Sequence, residues 1–319
     1  MPSSPEFVMP DADVDEAGLK LAARRLEMYS TKALAAARVV DRIIVRHAEF
    51  ERGLKSLDRI YQLGPEFSVP KGLLAFGPPG SGKSTLIKTF VDTLPPSGSI
   101  TPGAETLFVR LTKSQALGPV VEAMLAGLEY AFPKVSNNTV GMKAPQVAKA
   151  VKRRGTRLIF IDEAHHLCLS SSSLSRAQGA GTPLTTLLMQ LMDETGVGLC
   201  LCGGPQLEKL GDTDPYLTSR CQTRLELRNF DLAGPWLGLV RAMVKLCTTF
   251  DLSFLARDDQ RRPLHEATKG NLRDLKTLVT EFVLVGVDAA KNEIDAATMA
   301  LAYQRVYGAG SQASNPWSS

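Results

Sequence analysis

The apolar run Gly72–Phe76, GLLAF, passes directly into the glycine-rich stretch Gly77–Thr85, GPPGSGKST, and then into a segment of helical character from Leu86. No other feature of the sequence restricts the fold as much. A buried strand that feeds a tight loop and then a helix is the start of a β-α-β unit, and such units commit a chain to a parallel sheet covered by helices. The stretch fits G-x-x-x-x-G-K-[ST] at Gly77, Gly82, Lys83 and Ser84. Glycines at these positions let successive backbone N–H groups turn inward around phosphates. The lysine reaches the β and γ oxygens, and the serine hydroxyl can ligate Mg²⁺. A helix that begins there adds unpaired N–H groups and the positive end of its dipole. Gly77, Pro78, Pro79, Gly80, Ser81, Gly82, Lys83, Ser84 and Thr85 are therefore the expected phosphate-binding residues. A glycine-rich turn without function would not need strand, loop and helix in this order.

A second motif supplies what the first lacks. Leu158–Glu163, LIFIDE, reads as a central strand buried on both faces, with Asp162 and Glu163 at its end. Asp162 is suited to hold Mg²⁺ together with Ser84, and Glu163 to polarise an attacking water. Alone, an acidic pair at a strand end could be a solvated turn; with the phosphate loop upstream, the pair predicts ATP and Mg²⁺ as ligands and hydrolysis as the reaction.

Composition narrows the surroundings. The 319 residues are 44% hydrophobic, enough for one large or two modest domains. No uninterrupted apolar stretch of about 18 residues occurs, and the N-terminus MPSSPEFVMPDADVDE lacks the layout of a signal peptide. A cytosolic location without a membrane partner is expected. The five cysteines form no C-x-x-C pair and read as core thiols. A net charge of +4 permits nucleic-acid binding without requiring it. The basic run Lys149, Lys152, Arg153, Arg154 and Arg157 reads first as a solvated helix face.

Along the chain, helical spacing is expected over 16–38 and 50–61, then strands over 72–76, 106–111, 158–162, 197–202 and 224–227. Helices over 117–132, 145–154 and 183–194 alternate with them. The Ser/Gly-rich stretch 170–182 reads as a flexible loop. From Asp231 the strand signal ends, and helices are expected over 232–247, 261–268, 272–287 and 296–307. The fold class is therefore α/β: a five-stranded parallel sheet with helices on both faces, followed by a small helical bundle and preceded by a helical extension. The expected boundaries are 1–45 for an extension that contacts partners or subunits, 46–230 for the nucleotide domain, 231–308 for the helical lid and 309–319 for a disordered tail.

The acidic strand continues as DEAH, Asp162–His165. A DEAH-type helicase needs a second α/β domain, and the second half here is helical and too short. His165 and His166 then read as a helix-start pair without matching metal ligands nearby.

The layout resembles the AAA+ ATPases, an α/β nucleotide domain followed by a helical lid. That resemblance implies an arginine finger in Asp214–Cys221, DPYLTSRC, at Arg220 (Arg224 being the lesser candidate), supplied to a neighbouring subunit's γ-phosphate. It also implies a lid arginine at Arg273 in Gly270-Asn271-Leu272-Arg273. Within the superfamily the chain looks like the TniB/TnsC transposition regulators over about residues 46–307. The segments that carry this are HAEFERGLKSLDRIYQL, VGLCLCGGPQLEKLGDTDPYLTSR and ATKGNLRDLKTLV. The fourth strand departs from that family: Gly203-Gly204-Pro205 stands where a polar sensor residue is usual, which points to slow hydrolysis.

The family resemblance implies ATP-dependent rings or filaments on duplex DNA in the bacterial cytosol, recruitment of a transposase, and a TniQ-type adaptor. By the same resemblance Lys113, Thr139 and Lys143 are the DNA-facing candidates, contacting phosphates without reading sequence. Two other readings stay open: a helicase-loader or clamp-loader ATPase, and a nucleotide-dependent scaffold that scarcely hydrolyses.

Overall fold

The computed structural model describes residues 29–68, 71–94, 105–113, 116–168, 181–291, 294–308, 310 and 315–318. Five strands, β1 (Gly72–Phe76), β2 (Thr106–Arg110), β3 (Leu158–Asp162), β4 (Gly198–Gly203) and β5 (Thr223–Glu226), form one parallel sheet in the order β2-β3-β4-β1-β5. The register aligns their carboxyl ends. Phe76 lies opposite Gly203 and Glu226, and Arg110 lies opposite Asp162. In open parallel sheets ligands bind in the crevice beyond these ends, so the register gathers the chemistry-bearing residues along one edge.

Alternation along the strands divides the core in two. Leu73, Ala75, Phe160, Cys200 and Cys202 pack with Leu57 and Ile60 of α2 (Ala48–Leu63, following α1, Thr31–Arg42) and with Leu86 and Phe90 of α3 (Lys83–Thr93). Leu74, Ile159, Ile161 and Leu201 pack on the other face. Their neighbours there are Val121 and Met124 of α4 (Leu117–Gly127), Val147 and Val151 of α5 (Val140–Arg154), and Leu188 and Leu191 of α6 (Pro183–Thr195). Every residue of β1 and β4 is buried, as strands covered on both faces require.

The helix ends are signalled locally. Ser30 Oγ accepts from Ala33 N at 3.1 Å to start α1, and Thr182 Oγ1 accepts from Thr185 N at 3.2 Å to start α6, with Pro183 as its first residue. Helix α7 (Leu210–Thr213) leads into α8 (Pro215–Arg220), which Asp214 caps through Leu217 N at 2.8 Å. Four more helices follow: α9 (Gly234–Leu246), α10 (Asp258–Thr268), α11 (Leu272–Asp288) and α12 (Ala296–Tyr307).

The chain divides into two compact units. One holds Val45–Pro235 with Lys269–Asp274, hence the sheet. The other takes residues up to Ile44, Trp236–Thr268 and the chain from Leu275 on. Its core includes Val40, Trp236, Phe254, Leu278 and Phe282.

Several sequence expectations need correction. Helix α5 starts at Val140 and not at Pro145, so Pro145 lies inside it. Helix α10 likewise starts at Asp258 and contains Pro263. In both, proline is the sixth residue of the helix, so a first turn forms ahead of it and one backbone hydrogen bond is lost at the proline. The first expected helix, 16–38, lies partly outside the described residues, and its described part runs Thr31–Arg42. This helix shares a unit with the lid helices, as Thr249 Oγ1 donating to Ala36 O at 3.2 Å illustrates. The expected disordered tail is overturned at 315–318. Asn315 and Trp317 are buried, and Trp317 Nε1 donates to Gln260 Oε1 at 2.8 Å. The stretch 170–180 of the expected flexible loop lies outside the described residues. Among the described residues no helix is long and apolar enough to cross a membrane.

Candidate functional site

The stretch from Gly77 to Gly82 turns tightly from β1 into α3. Gly80 (φ +81°) and Gly82 (φ +97°) take left-handed backbone that side chains disfavour. Gly82 is the N-cap of α3 and offers no side chain to cap it, so the first-turn N–H groups of Lys83, Ser84 and Thr85 are left for another acceptor. Ser84 and Thr85 are exposed beside them. Lys83 Nζ donates to Gly77 O and Pro78 O, each at 2.8 Å, and to Ser81 Oγ at 3.3 Å. Burial holds the Lys83 pKa below the usual lysine range, opposed in part by Asp162 and Glu163, while Arg273 adds to the lowering. These charges therefore share one neighbourhood.

Asp162 ends β3, and its Oδ1 accepts from Glu163 N at 2.9 Å. Glu163 has φ +56°, a left-handed conformation that costs a side-chain-bearing residue roughly 1–2 kcal/mol. Its Oε1 accepts from Arg110 Nη2 at 3.1 Å, and Oε2 lies 3.3 Å from His165 Nδ1. His165 Nδ1 accepts from Gly204 N at 3.2 Å, which ties the end of β4 to the acidic strand. The glycine at 203 makes this approach possible, since a Cβ there would lie 2.7 Å from His165 N. The polar group expected from β4 is thus absent at Gly204, and an imidazole stands against that position.

Glu163, His165 and His166 bring one ligand atom each within 4.8 Å of one another. Sequence reasoning had found no third ligand for the histidine pair, and Glu163 supplies one. The donors are already engaged, however: Glu163 on Arg110 and His165 on Gly204.

Arg273 begins α11. Its backbone N donates to Gly80 O at 3.2 Å, and its exposed side chain lies in the electrostatic neighbourhood of Lys83. Arg220 is occupied elsewhere. Its guanidinium grips Asp193 of α6 through two bonds, Nε–Oδ1 at 3.1 Å and Nη2–Oδ2 at 2.8 Å, and Nη1 donates to Tyr216 O at 3.2 Å. The Asp193 bonds raise its pKa further. Arg224 is exposed on β5.

The three basic-surface candidates differ. Lys113 is exposed after β2, and its charge helps lower the His166 pKa, where burial is the larger cause. Thr139 Oγ1 accepts from Ser136 N at 2.9 Å just ahead of α5. Lys143 Nζ donates to Phe132 O at 2.6 Å and lies 5.1 Å from the centre of the Tyr130 ring. Sequence reasoning did not single out Arg110, although a basic residue closing the strand beside an acidic one was a usable signal. It also passed over Asp193 and Asn271.

Residues 69–210 match the family model described as an AAA domain. Among solved structures, the ORC2 protein of Aeropyrum pernix in its ADPNP–ADP complexes aligns with a TM-score of 0.57 and 14% identity over 84% of this chain and 71% of that one. The ORC1 protein of the same organism in complex with DNA aligns with a TM-score of 0.57 and 15% identity over 84% and 67%. Drosophila ORC bound to DNA aligns with a TM-score of 0.52 and 13% identity over 98% and 72%. No curated protein matches the sequence. The sheet, the loop and these likenesses define the fold as that of an AAA+ nucleotide-binding domain with an accompanying helical unit, and its likeness to the origin-recognition proteins is one of fold.

Proposed function

We propose that the protein hydrolyses ATP and uses the nucleotide to control its assembly on duplex DNA, as a regulator of DNA transposition. The observation that carries this reading is that Lys83 and the Arg273 backbone both bond to one glycine loop after β1, in a sheet whose aligned carboxyl ends also carry Asp162 and Glu163.

The residues fit ATP and Mg²⁺. The first-turn N–H groups of α3 have no side-chain cap, and the Lys83 ammonium stands beside them on the loop carbonyls. Backbone N–H groups of Gly80 and Gly82–Thr85 and the Lys83 ammonium would hold the phosphates, and Ser84 and Asp162 would hold the metal. Bound there, Mg²⁺ neutralises phosphate charge. Glu163 would orient the attacking water and take its proton. Arg273 would face the phosphates from its own chain and Arg220 from a neighbour, which makes hydrolysis depend on assembly.

Two features make the proposed activity slow until triggered. Glu163 has Oε1 on Arg110, and Arg220 has its fork on Asp193. A nucleotide-dependent scaffold with little hydrolysis is the second reading that these contacts favour. For DNA, Lys113, Thr139 and Lys143 would meet the phosphate backbone, Lys143 after leaving Phe132 O. The DNA named with two of the similar structures supports a DNA role. The transposase and the TniQ-type adaptor are inferred from the likeness of the Leu201–Arg220 and Ala267–Val279 segments to TniB/TnsC proteins. A helicase-loader role is the alternative within the same fold.

Turnover with and without duplex DNA tests the reading. DNA-stimulated hydrolysis abolished by Glu163→Gln is expected, and its complete absence would leave the scaffold. Electron microscopy with ATP and duplex DNA is expected to show rings or filaments. Stimulation of a transposase in a target-joining assay then separates the transposition role from helicase loading.

A further inference from the structure

Each carbonyl of the loop from Gly77 to Gly80 accepts a hydrogen bond from outside that loop. Lys83 Nζ serves Gly77 O and Pro78 O at 2.8 Å, Asn271 Nδ2 serves Pro79 O at 2.8 Å, and Arg273 N serves Gly80 O at 3.2 Å. The peptide bonds are trans, so within each planar unit the C=O and the following N–H point in opposite directions. Whatever fixes the Pro79 carbonyl therefore also fixes the direction of the Gly80 N–H. A phosphate loop works only if such N–H groups converge.

We propose that Asn271 is a positioning residue of the phosphate loop, whose side-chain amide holds the Pro79–Gly80 peptide in the orientation that a bound phosphate requires. The inference rests on the nucleotide reading of the site given above.

The residue is placed for this work by its own surroundings. Asn271 is 8% exposed, and all its polar atoms are used. Nδ2 also donates to Asn229 Oδ1 at 3.1 Å, and Oδ1 accepts from Arg273 N at 3.0 Å and Asp274 N at 3.4 Å. One side chain thus caps the first turn of α11 and anchors the loop. The preceding residue fixes its approach: Gly270 has φ +67°, its oxygen accepts from Phe230 N at 2.9 Å, and a Cβ there would lie 1.9 Å from Phe230 O. From the other side, a Cβ on Gly80 would lie 2.5 Å from Asn271 Oδ1. Glycine at 80 and asparagine at 271 are therefore two halves of one contact.

The two sets of donors differ in kind. Lys83 carries charge and would leave Gly77 O and Pro78 O for a phosphate oxygen. The Asn271 amide is neutral and has no reason to leave Pro79 O, so its bond persists through nucleotide binding. It pre-pays the ordering of the loop, and its loss is read in nucleotide affinity.

The test uses the full-length protein with Asn271→Ser and Asn271→Ala, a fluorescent ATP analogue and thermal denaturation. Serine keeps an oxygen that can cap α11 but is too short to donate to Pro79 O. Asn271→Ser is expected to melt close to the wild type yet bind the analogue about tenfold more weakly, as the loss of one buried hydrogen bond implies. Asn271→Ala is expected to bind as weakly and to melt lower. Asn271→Ser binding with wild-type affinity would overturn the inference. Should the wild type bind no nucleotide, the functional reading falls, and the inference stands or falls on a second measurement made without nucleotide. The Gly80 amide resonance is then expected to move in Asn271→Ser, and an unmoved resonance would refute the role.

Discussion

Arg110, at the end of β2, and Glu163, just past the end of β3, form an ion pair of 3.1 Å between Nη2 and Oε1. The pairing follows from register, because Arg110 lies opposite Asp162 and β2 is the edge strand next to β3. The Arg110 side chain is 69% exposed, so the pair contributes little to folding. Its effect falls on the carboxylate, because the guanidinium competes with water for Oε1 and makes the carboxylate a weaker base. Arg110→Ala is therefore expected to raise basal ATP turnover several-fold and to reduce the factor by which DNA stimulates it, with nucleotide affinity unchanged. Steady-state turnover beside analogue binding checks both parts. A fall in turnover would mean that Arg110 aligns Glu163 for the reaction.

The bidentate contact of Arg220 with Asp193 leads to a second expectation. Fork-on-fork geometry is the strong form of a charge-assisted hydrogen bond, and here it occupies the donors that a neighbour's phosphate would need. Arg220→Ala should leave nucleotide affinity within about twofold and abolish the DNA-stimulated part of turnover, because a group supplied in trans matters only in the assembly. Asp193→Ala should lower the protein concentration at which stimulated turnover reaches half its maximum. Turnover measured against protein concentration separates the two. Equal turnover of the Arg220→Ala variant and the wild type would remove the residue from the site.

The sequence made legible what depends on short runs of residues. A strand buried on both faces reads as an unbroken apolar run, so β1, β3 and β4 lie within a residue or so of their expected ends, and the glycine-rich turn follows β1 as expected. The long-range contacts were hidden. Nothing near Asp193 says that Arg220, on a different helix, will take it, and Asn271 meets Pro79 only once the two segments are folded together. A proline misled in the opposite direction. Pro145 looks like a helix start, yet the turn before it is already helical. Trp317 lay in a stretch whose small polar composition reads as a tail, and only its large apolar ring reveals that the segment docks.

That ring supports a stability prediction. Trp317 is buried, meets Phe282 at 5.6 Å and Tyr303 at 6.1 Å between ring centres, and donates to Gln260. Trp317→Ala removes the packed surface and leaves the Gln260 acceptor unpaired, at a cost of about 3–5 kcal/mol by analogy with other large-to-small changes. Denaturant unfolding is expected to show that loss. If the midpoint were unchanged, the C-terminal residues would not be docked in solution.

Asp295 caps α12, accepting from Thr298 N at 2.8 Å and Thr298 Oγ1 at 2.6 Å, and it pairs with Lys291 at 2.7 Å. The hydrogen bond from Lys291, followed by those from Thr298, holds its carboxyl well below the usual carboxylate range. A carboxyl with a folded pKa below its unfolded value stabilises the fold above the unfolded pKa of about 4, and that contribution fades as pH falls through the folded value. The carboxylate is 58% exposed, so solvent screens the contribution and keeps it small. Asp295→Asn keeps an acceptor for the cap but carries no charge. The wild type is therefore expected to melt higher than Asp295→Asn at pH 6, with the gap narrowing as the pH is lowered from 4 toward 2. Melting curves of both proteins across that range check the sign. A gap that widened on acidification would mean that the Lys291 contact, and not the cap alone, had been misassigned.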